Sequence, residues 1–132
     1  MCVWINRVSA MPTYRGSCHC QAVRFEVVSV IDRVTLCNCS ICSKKGILHH
    51  RVPPESFRLL SGEELLGTYQ FGTLTAQHHF CRRCGIHVFT RPRSAPHLYT
   101  VNVRVLDDFD LSQVETVPFD GRNWEQAIHA LK

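Results

Sequence analysis

The chain has 132 residues, eight of them cysteine, with 45% hydrophobic and 20% charged residues and a formal net charge of +4. That length suits one domain that buries roughly two thirds of the surface its unfolded form would expose. Ordinary apolar and charged fractions, without low-complexity tracts or repeats, exclude a disordered chain, and scattered basic residues exclude the dense cationic block of a nucleic-acid binder. No nucleic-acid partner is expected, and the mild positive charge suits an anionic small molecule.

The opening Met1-Cys2-Val3-Trp4-Ile5-Asn6-Arg7 has no basic stretch ahead of an apolar run, and no apolar run approaches membrane-spanning length. Neither a signal peptide nor an anchor is expected, so no membrane partner is, and the default address is the cytoplasm. Residues 1–11 read as a loose N-terminal extension with Cys2 as a free thiol, and residues 12–132 as a single domain.

Pro12 to Gly16 reads as a turn leading into Ser17-Cys18-His19-Cys20. Ala22-Val23-Arg24-Phe25-Glu26-Val27-Val28 alternates apolar and charged side chains, which predicts a half-buried strand. Val34-Thr35-Leu36 is a short strand that delivers Cys37-Asn38-Cys39-Ser40-Ile41-Cys42, and Ser43 to Gly46 reads as a basic turn. Ile47–Val52 forms a strand that Pro53-Pro54 stops. Phe57–Leu60 and Leu65–Phe71 are further strands separated by the turn at Ser61-Gly62-Glu63.

Gln77-His78-His79-Phe80 runs into Cys81-Arg82-Arg83-Cys84-Gly85 and then Ile86–Arg91, the pattern of a zinc-knuckle hairpin in which Gly85 takes the positive φ of the turn. Leu98–Val105 predicts a late strand. Trp124, Ala127, Ile128 and Leu131 have helical spacing behind Asn123, a cap for a short C-terminal helix. Phe25, Phe57, Phe71, Phe80 and Phe89 fall at strand positions and read as core. The fold class is mainly β.

Eight cysteines without a secretory signal argue for metal ligation over disulfides, because cytosolic thiols stay reduced. Seven of them fall into three groups: Cys18 with Cys20, Cys37 with Cys39 and Cys42, and Cys81 with Cys84. A closed structural site takes four protein ligands, whereas a catalytic site keeps one position for water or substrate. Two pairs make four, so Cys18, Cys20, Cys81 and Cys84 are assigned to a closed structural zinc and Cys37, Cys39 and Cys42 to a second, three-thiolate zinc.

The spacing leaves two readings of that triplet open: a vacant fourth position, or a fourth ligand from His49, His50, His78 or His79. If the position is vacant, three thiolates on the metal leave a net charge of about −1, suited to binding an incoming thiol and keeping it nucleophilic. Lys44, Lys45 and Arg51 are candidates to pair with substrate carboxylates. Of His78 and His79, one faces the interior and reads as a hydrogen-bonded core histidine. His19 points to solvent.

Four stretches together carry a resemblance. They are Gly16-Ser17-Cys18-His19-Cys20 with Ala22–Glu26, Cys37–Cys42 with Lys45, Phe80-Cys81-Arg82-Arg83-Cys84-Gly85, and Val101-Asn102-Val103 with Leu106-Asp107-Asp108. In these the chain resembles the glutathione-dependent formaldehyde-activating enzyme family, which also contains centromere protein V. The resemblance spans about Gly16 to Trp124. It implies a β-tent fold of antiparallel sheets, a structural zinc on Cys18, Cys20, Cys81 and Cys84, and a catalytic zinc on Cys37, Cys39 and Cys42.

The implied activity is that of a carbon–sulfur lyase that joins glutathione to formaldehyde as S-hydroxymethylglutathione. Its partners would be a small-molecule thiol and an aldehyde. The chain departs from the family pattern at Gln21 and Arg104, where glycine is common, and at Ser43, where arginine is frequent. Two other readings stand beside the enzyme: a zinc-stabilised module binding protein, chromatin or microtubules, and a redox device in which the triplet forms a disulfide.

Overall fold

The computed structural model describes residues 11–123 and Glu125. Ten strands dominate: β1 (Thr13–Ser17), β2 (Arg24–Val28), β3 (Arg33–Cys37), β4 (Leu48–Val52), β5 (Phe57–Ser61), β6 (Leu66–Tyr69), β7 (Gln77–Cys81), β8 (His87–Arg91), β9 (Tyr99–Asn102) and β10 (Glu115–Phe119). One four-residue helix, α1 (Cys42–Lys45), follows β3. The expectation of a mainly β protein is met.

The strands form a three-stranded sheet of order β1-β2-β5 and a seven-stranded sheet of order β10-β3-β4-β9-β8-β7-β6. Alternation dictates which face of each is buried. In β2, Phe25 and Val27 are fully buried, while Glu26 lies opposite both Arg15 and Arg58 and forms an ion pair with each, at 3.9 and 2.8 Å. Between the sheets, Phe57 stacks on Tyr99 at 4.4 Å and packs against Phe25 and Phe89.

The opposite face of the larger sheet has a different composition. Directly paired residues share a face, and the register runs Tyr69–His78–Thr90–Thr100–Arg51 in one row and Asn102–His49–Thr35–Val117 in the next. One side of this sheet is thus core, and the other is a polar floor rich in threonine and histidine.

Several segments depart from the sequence expectation. Pro12 to Gly16 is not a turn: Thr13–Ser17 pairs along its whole length with β2. The basic stretch after Cys42 winds into α1. The late strand stops at Asn102, whose side chain accepts a hydrogen bond from the Arg104 N–H and starts a 3-10 turn over Val103–Val105. β10, which sequence patterning missed, holds Pro118 at the sheet edge, where a strand tolerates proline. It pairs with β3 in parallel, so the sheet is mixed and not wholly antiparallel.

Phe71 is 42% exposed and lies in the loop after β6, outside the core in which its strand-like context placed it. The loose extension expected over residues 1–11, with Cys2, and the helix expected from Trp124 to Leu131 lie outside the described residues, apart from Met11 and Glu125. No helix among the described residues is long and apolar enough to cross a membrane.

Candidate functional site

The structure brings Cys18, Cys20, Cys81 and Cys84 together, with every sulfur within 4.8 Å of the others. Cys18 follows β1, Cys20 sits in the turn after it, Cys81 ends β7 and Cys84 lies in the next turn. Gln21 at φ 65° and Gly85 at φ 82° both take left-handed backbone to close these turns. Glycine adopts that conformation freely, whereas Gln21 pays a steric penalty for it.

The Cys20 sulfur lies 3.6 Å from Cys18 and 3.7 Å from Cys81. A tetrahedron of sulfurs about 2.3 Å from a central zinc has edges of about 3.8 Å, so these separations fit a thiolate-bound metal. A disulfide would need about 2.05 Å, and all seven described cysteines are free. Backbone N–H groups of Val23 and Arg83 donate to the Cys18 and Cys81 sulfurs, both at 3.3 Å. Burial pushes the Cys18 thiol up to about 11, a cost that a bound cation would reverse.

Cys37, Cys39 and Cys42 also converge, and among the described residues the group of ligand atoms within 4.8 Å of one another contains these three sulfurs alone. Cys37 ends β3, Cys39 lies in the following loop, and Cys42 opens α1. The N–H groups of Cys39 and Cys42 point at the sulfurs of Cys37 and Cys39, at 3.5 and 3.4 Å. Hydrogen bonds from Cys37 and Cys42 hold the Cys39 thiol far down, to about 2, while the thiols that give those bonds are pushed up. Three crowded thiols cannot all ionise unaided, and the charge deficit is one a divalent cation satisfies.

A strap from the end of β10 holds this loop, and sequence reasoning missed it. Asn38 is its anchor: its side-chain amide donates to Asp120 at 3.1 Å, its Oδ1 accepts from the Arg122 N–H at 3.0 Å, and its carbonyl accepts from Arg122 Nε at 3.0 Å. The strap lies so close that a Cβ at Gly121 would sit 2.5 Å from Cys37 Sγ and 2.7 Å from Cys39 Cβ. The Asp120-Gly121 pair, a turn signal after a β-rich run, was the available hint.

The two clusters differ in access. The triplet lines a cleft of about 590 Å³ whose other walls are the polar sheet floor and the loop carrying Phe71. Arg51, Arg93 and Arg122 line the same cleft, and Arg93 is paired with Glu125 at 2.9 Å. Lys45 does not line it; its ammonium lies 3.1 Å from His87 Nδ1 and over the Phe80 ring. Lys44 is exposed.

Of the four histidines considered as a fourth ligand, His49 comes closest, with Nε2 3.2 Å from Cys42 Sγ. His50 faces the other side of the sheet, where its Nε2 lies 2.8 Å from Ser29 Oγ, and His79 meets Thr68 Oγ1 at 3.0 Å. His78 is buried, as one of the His78–His79 pair was expected to be. It is not a hydrogen-bonded core histidine, however, since neither ring nitrogen has a partner and the ring stacks with Phe71 at the cleft. His19 is exposed, as expected.

Fold and sites together define a mainly β protein with two thiol clusters able to hold metal ions, of which the triplet lines a cleft that also carries cationic side chains. Residues 13–120, which include every one of these cysteines, match the glutathione-dependent formaldehyde-activating enzyme family, and the chain belongs to that family. A crystal structure of a Rhodobacter sphaeroides protein is similar, with 39% identity and a TM-score of 0.71 over 79% of this chain and 97% of that one.

Proposed function

We propose that the protein joins a thiol to a small aldehyde and runs the reverse cleavage, a carbon–sulfur lyase of the S-(hydroxymethyl)glutathione synthase type with glutathione and formaldehyde as substrates. One observation carries this reading: a three-thiol metal-binding set lines a cleft large enough for a small molecule, while the four-thiol set does not line it. Cys18, Cys20, Cys81 and Cys84 would hold a structural zinc. A second zinc on Cys37, Cys39 and Cys42 would supply positive charge that lowers the pKa of an incoming thiol and a free position for its sulfur.

In the forward direction a sulfur–carbon bond forms at the aldehyde carbon and the C=O π pair moves to oxygen. The thiol proton leaves sulfur, and one proton returns to that oxygen to give a hemithioacetal. Arg51 and Arg93 would bind and orient the carboxylates of the thiol, since guanidinium groups match carboxylates in a two-pronged geometry. Asn38 and the strap would keep the triplet loop in register. The protein would act in the cytoplasm.

The test is exchange NMR on formaldehyde and glutathione with the zinc-loaded protein and with Cys39→Ser. Faster exchange with wild type than with the variant is expected. Equal exchange in both would remove the reading for this substrate pair.

A further inference from the structure

Among the described residues, four buried side-chain polar atoms have no hydrogen-bond partner: His49 Nδ1, His78 Nδ1, His78 Nε2 and Thr100 Oγ1. All three residues line the one cleft that holds the cysteine triplet. Buried polar groups almost always find partners, and leaving one unsatisfied is costly. Four such atoms at one wall need partners that the surrounding protein does not supply.

The sheet explains why they gather. His78 pairs with Thr90, and Thr90 with Thr100, so their side chains stand in one row on the polar face. Thr90 is already committed, since its Oγ1 lies 3.0 Å from His87 Nε2. His78 and Thr100, 6% and 7% exposed, line the cleft, and their buried polar atoms have no partner in the protein. His49, in the adjacent row, bridges this pair to the thiols through Nε2, 3.2 Å from Cys42 Sγ.

We propose that His78 and Thr100 form the subsite for the oxygen of the electrophile, the carbonyl oxygen of a small aldehyde, beside the position where the triplet takes the thiol. This rests on the thiol–aldehyde reading. Burial lowers the proton affinity of His78, so its ring is neutral near pH 7 and offers one N–H donor and one acceptor nitrogen. The Thr100 hydroxyl can do either.

That pairing matches an oxygen whose character changes during the reaction. Before addition a carbonyl oxygen only accepts, so N–H and O–H point at it. As the sulfur–carbon bond forms, negative charge builds on that oxygen, and donors already in place stabilise it. Once it has taken up its proton the product hydroxyl both donates and accepts. The Phe71 ring stacked on His78 at 5.7 Å holds the imidazole plane and shields it from water.

The test uses the zinc-loaded full chain. Imidazole ¹⁵N resonances of His78 are followed as acetamide, an unreactive carbonyl probe, is added, with His79 as the internal control. A shift confined to His78 among this pair is expected. In thiol–aldehyde exchange, His78→Phe and the near-isosteric Thr100→Val should each slow turnover, His78→Phe by about 10²-fold, as for removal of one oxyanion donor. His78→Gln, which restores an N–H, should recover part of the loss, while thiol binding stays unchanged in all three.

If His78→Phe does not fold, Thr100→Val and the probe titration carry the test. An unshifted His78 resonance together with unchanged exchange in Thr100→Val would mean that the subsite holds a resident water only, and would overturn the proposal. A His78 shift in a wild-type protein that shows no thiol–aldehyde exchange would support the oxygen subsite and sink the substrate reading on which its catalytic role rests.

Discussion

Gly121→Ala is the sharpest perturbation of the candidate active site, because it adds one methyl group and touches no ligand. Its Cβ would stand 2.5 Å from Cys37 Sγ, 2.7 Å from Cys39 Cβ and 3.1 Å from Cys39 N. Unbonded heavy atoms settle at about 3.5–4.0 Å, so the first contact is short by more than about 1 Å. Backbone strain plays no part, since Gly121 is not among the residues with positive φ. The clash must be relieved by moving either the strap or the two cysteines, and the strap is tied to Asn38 by three hydrogen bonds.

Overpacking of this kind costs about 1–3 kcal/mol. Where the cost falls on the loaded triplet, it weakens metal affinity by about 5- to 150-fold. Competition of the loaded protein against a chromophoric chelator measures that affinity, and a thermal melt measures any loss of stability. We expect the triplet to weaken while the four-cysteine site retains its metal. Unchanged affinity at the triplet, unchanged stability and unchanged exchange kinetics would refute the claim that the strap sets the triplet's geometry.

Cys18→Ser and Cys39→Ser should separate the two clusters. A structural metal site contributes on the order of 10 kcal/mol, comparable to the whole stability of a domain. Near-UV circular dichroism should therefore show Cys18→Ser unfolded and Cys39→Ser folded, and two equally folded variants would contradict the assignment. His87 gives a pH signature: burial and the adjacent Lys45 hold its imidazole down to about 2, against about 6.5 when unfolded. The unfolded chain binds this proton first as pH falls. The contribution of His87 is thus complete above about pH 6.5 and is lost toward pH 2, at no more than about 1.4 kcal/mol per pH unit. Urea titrations between pH 7 and 5 should show a slope shallower in His87→Gln, by a difference that grows to about one proton near pH 5, and equal slopes would refute this.

The grouping of the thiols was legible before any fold was known. The partition of Cys18, Cys20, Cys81 and Cys84 from Cys37, Cys39 and Cys42 follows from counting, because thiols two or three residues apart can turn toward one metal whatever surrounds them. Strand assignment worked where one face is core, as in Phe25 and Val27 of β2, since alternation is a local property. It failed for β1 and β10. Those strands take their hydrogen-bond partners from β2 and β3, and neither Gly16 nor Pro118 has the composition of a strand.

What the sequence alone determined, then, is a mainly β chain with thiols in groups of four and three that could each hold a metal ion, because ligand type and spacing are encoded within a few residues. The tertiary structure decided what surrounds the triplet. His49, Arg51, His78 and Thr100 come from three strands and meet only through the register of the larger sheet, and Gly121 reaches Cys37 only because β10 pairs in parallel with β3. A cleft is a relation between distant segments, and no local pattern can carry it.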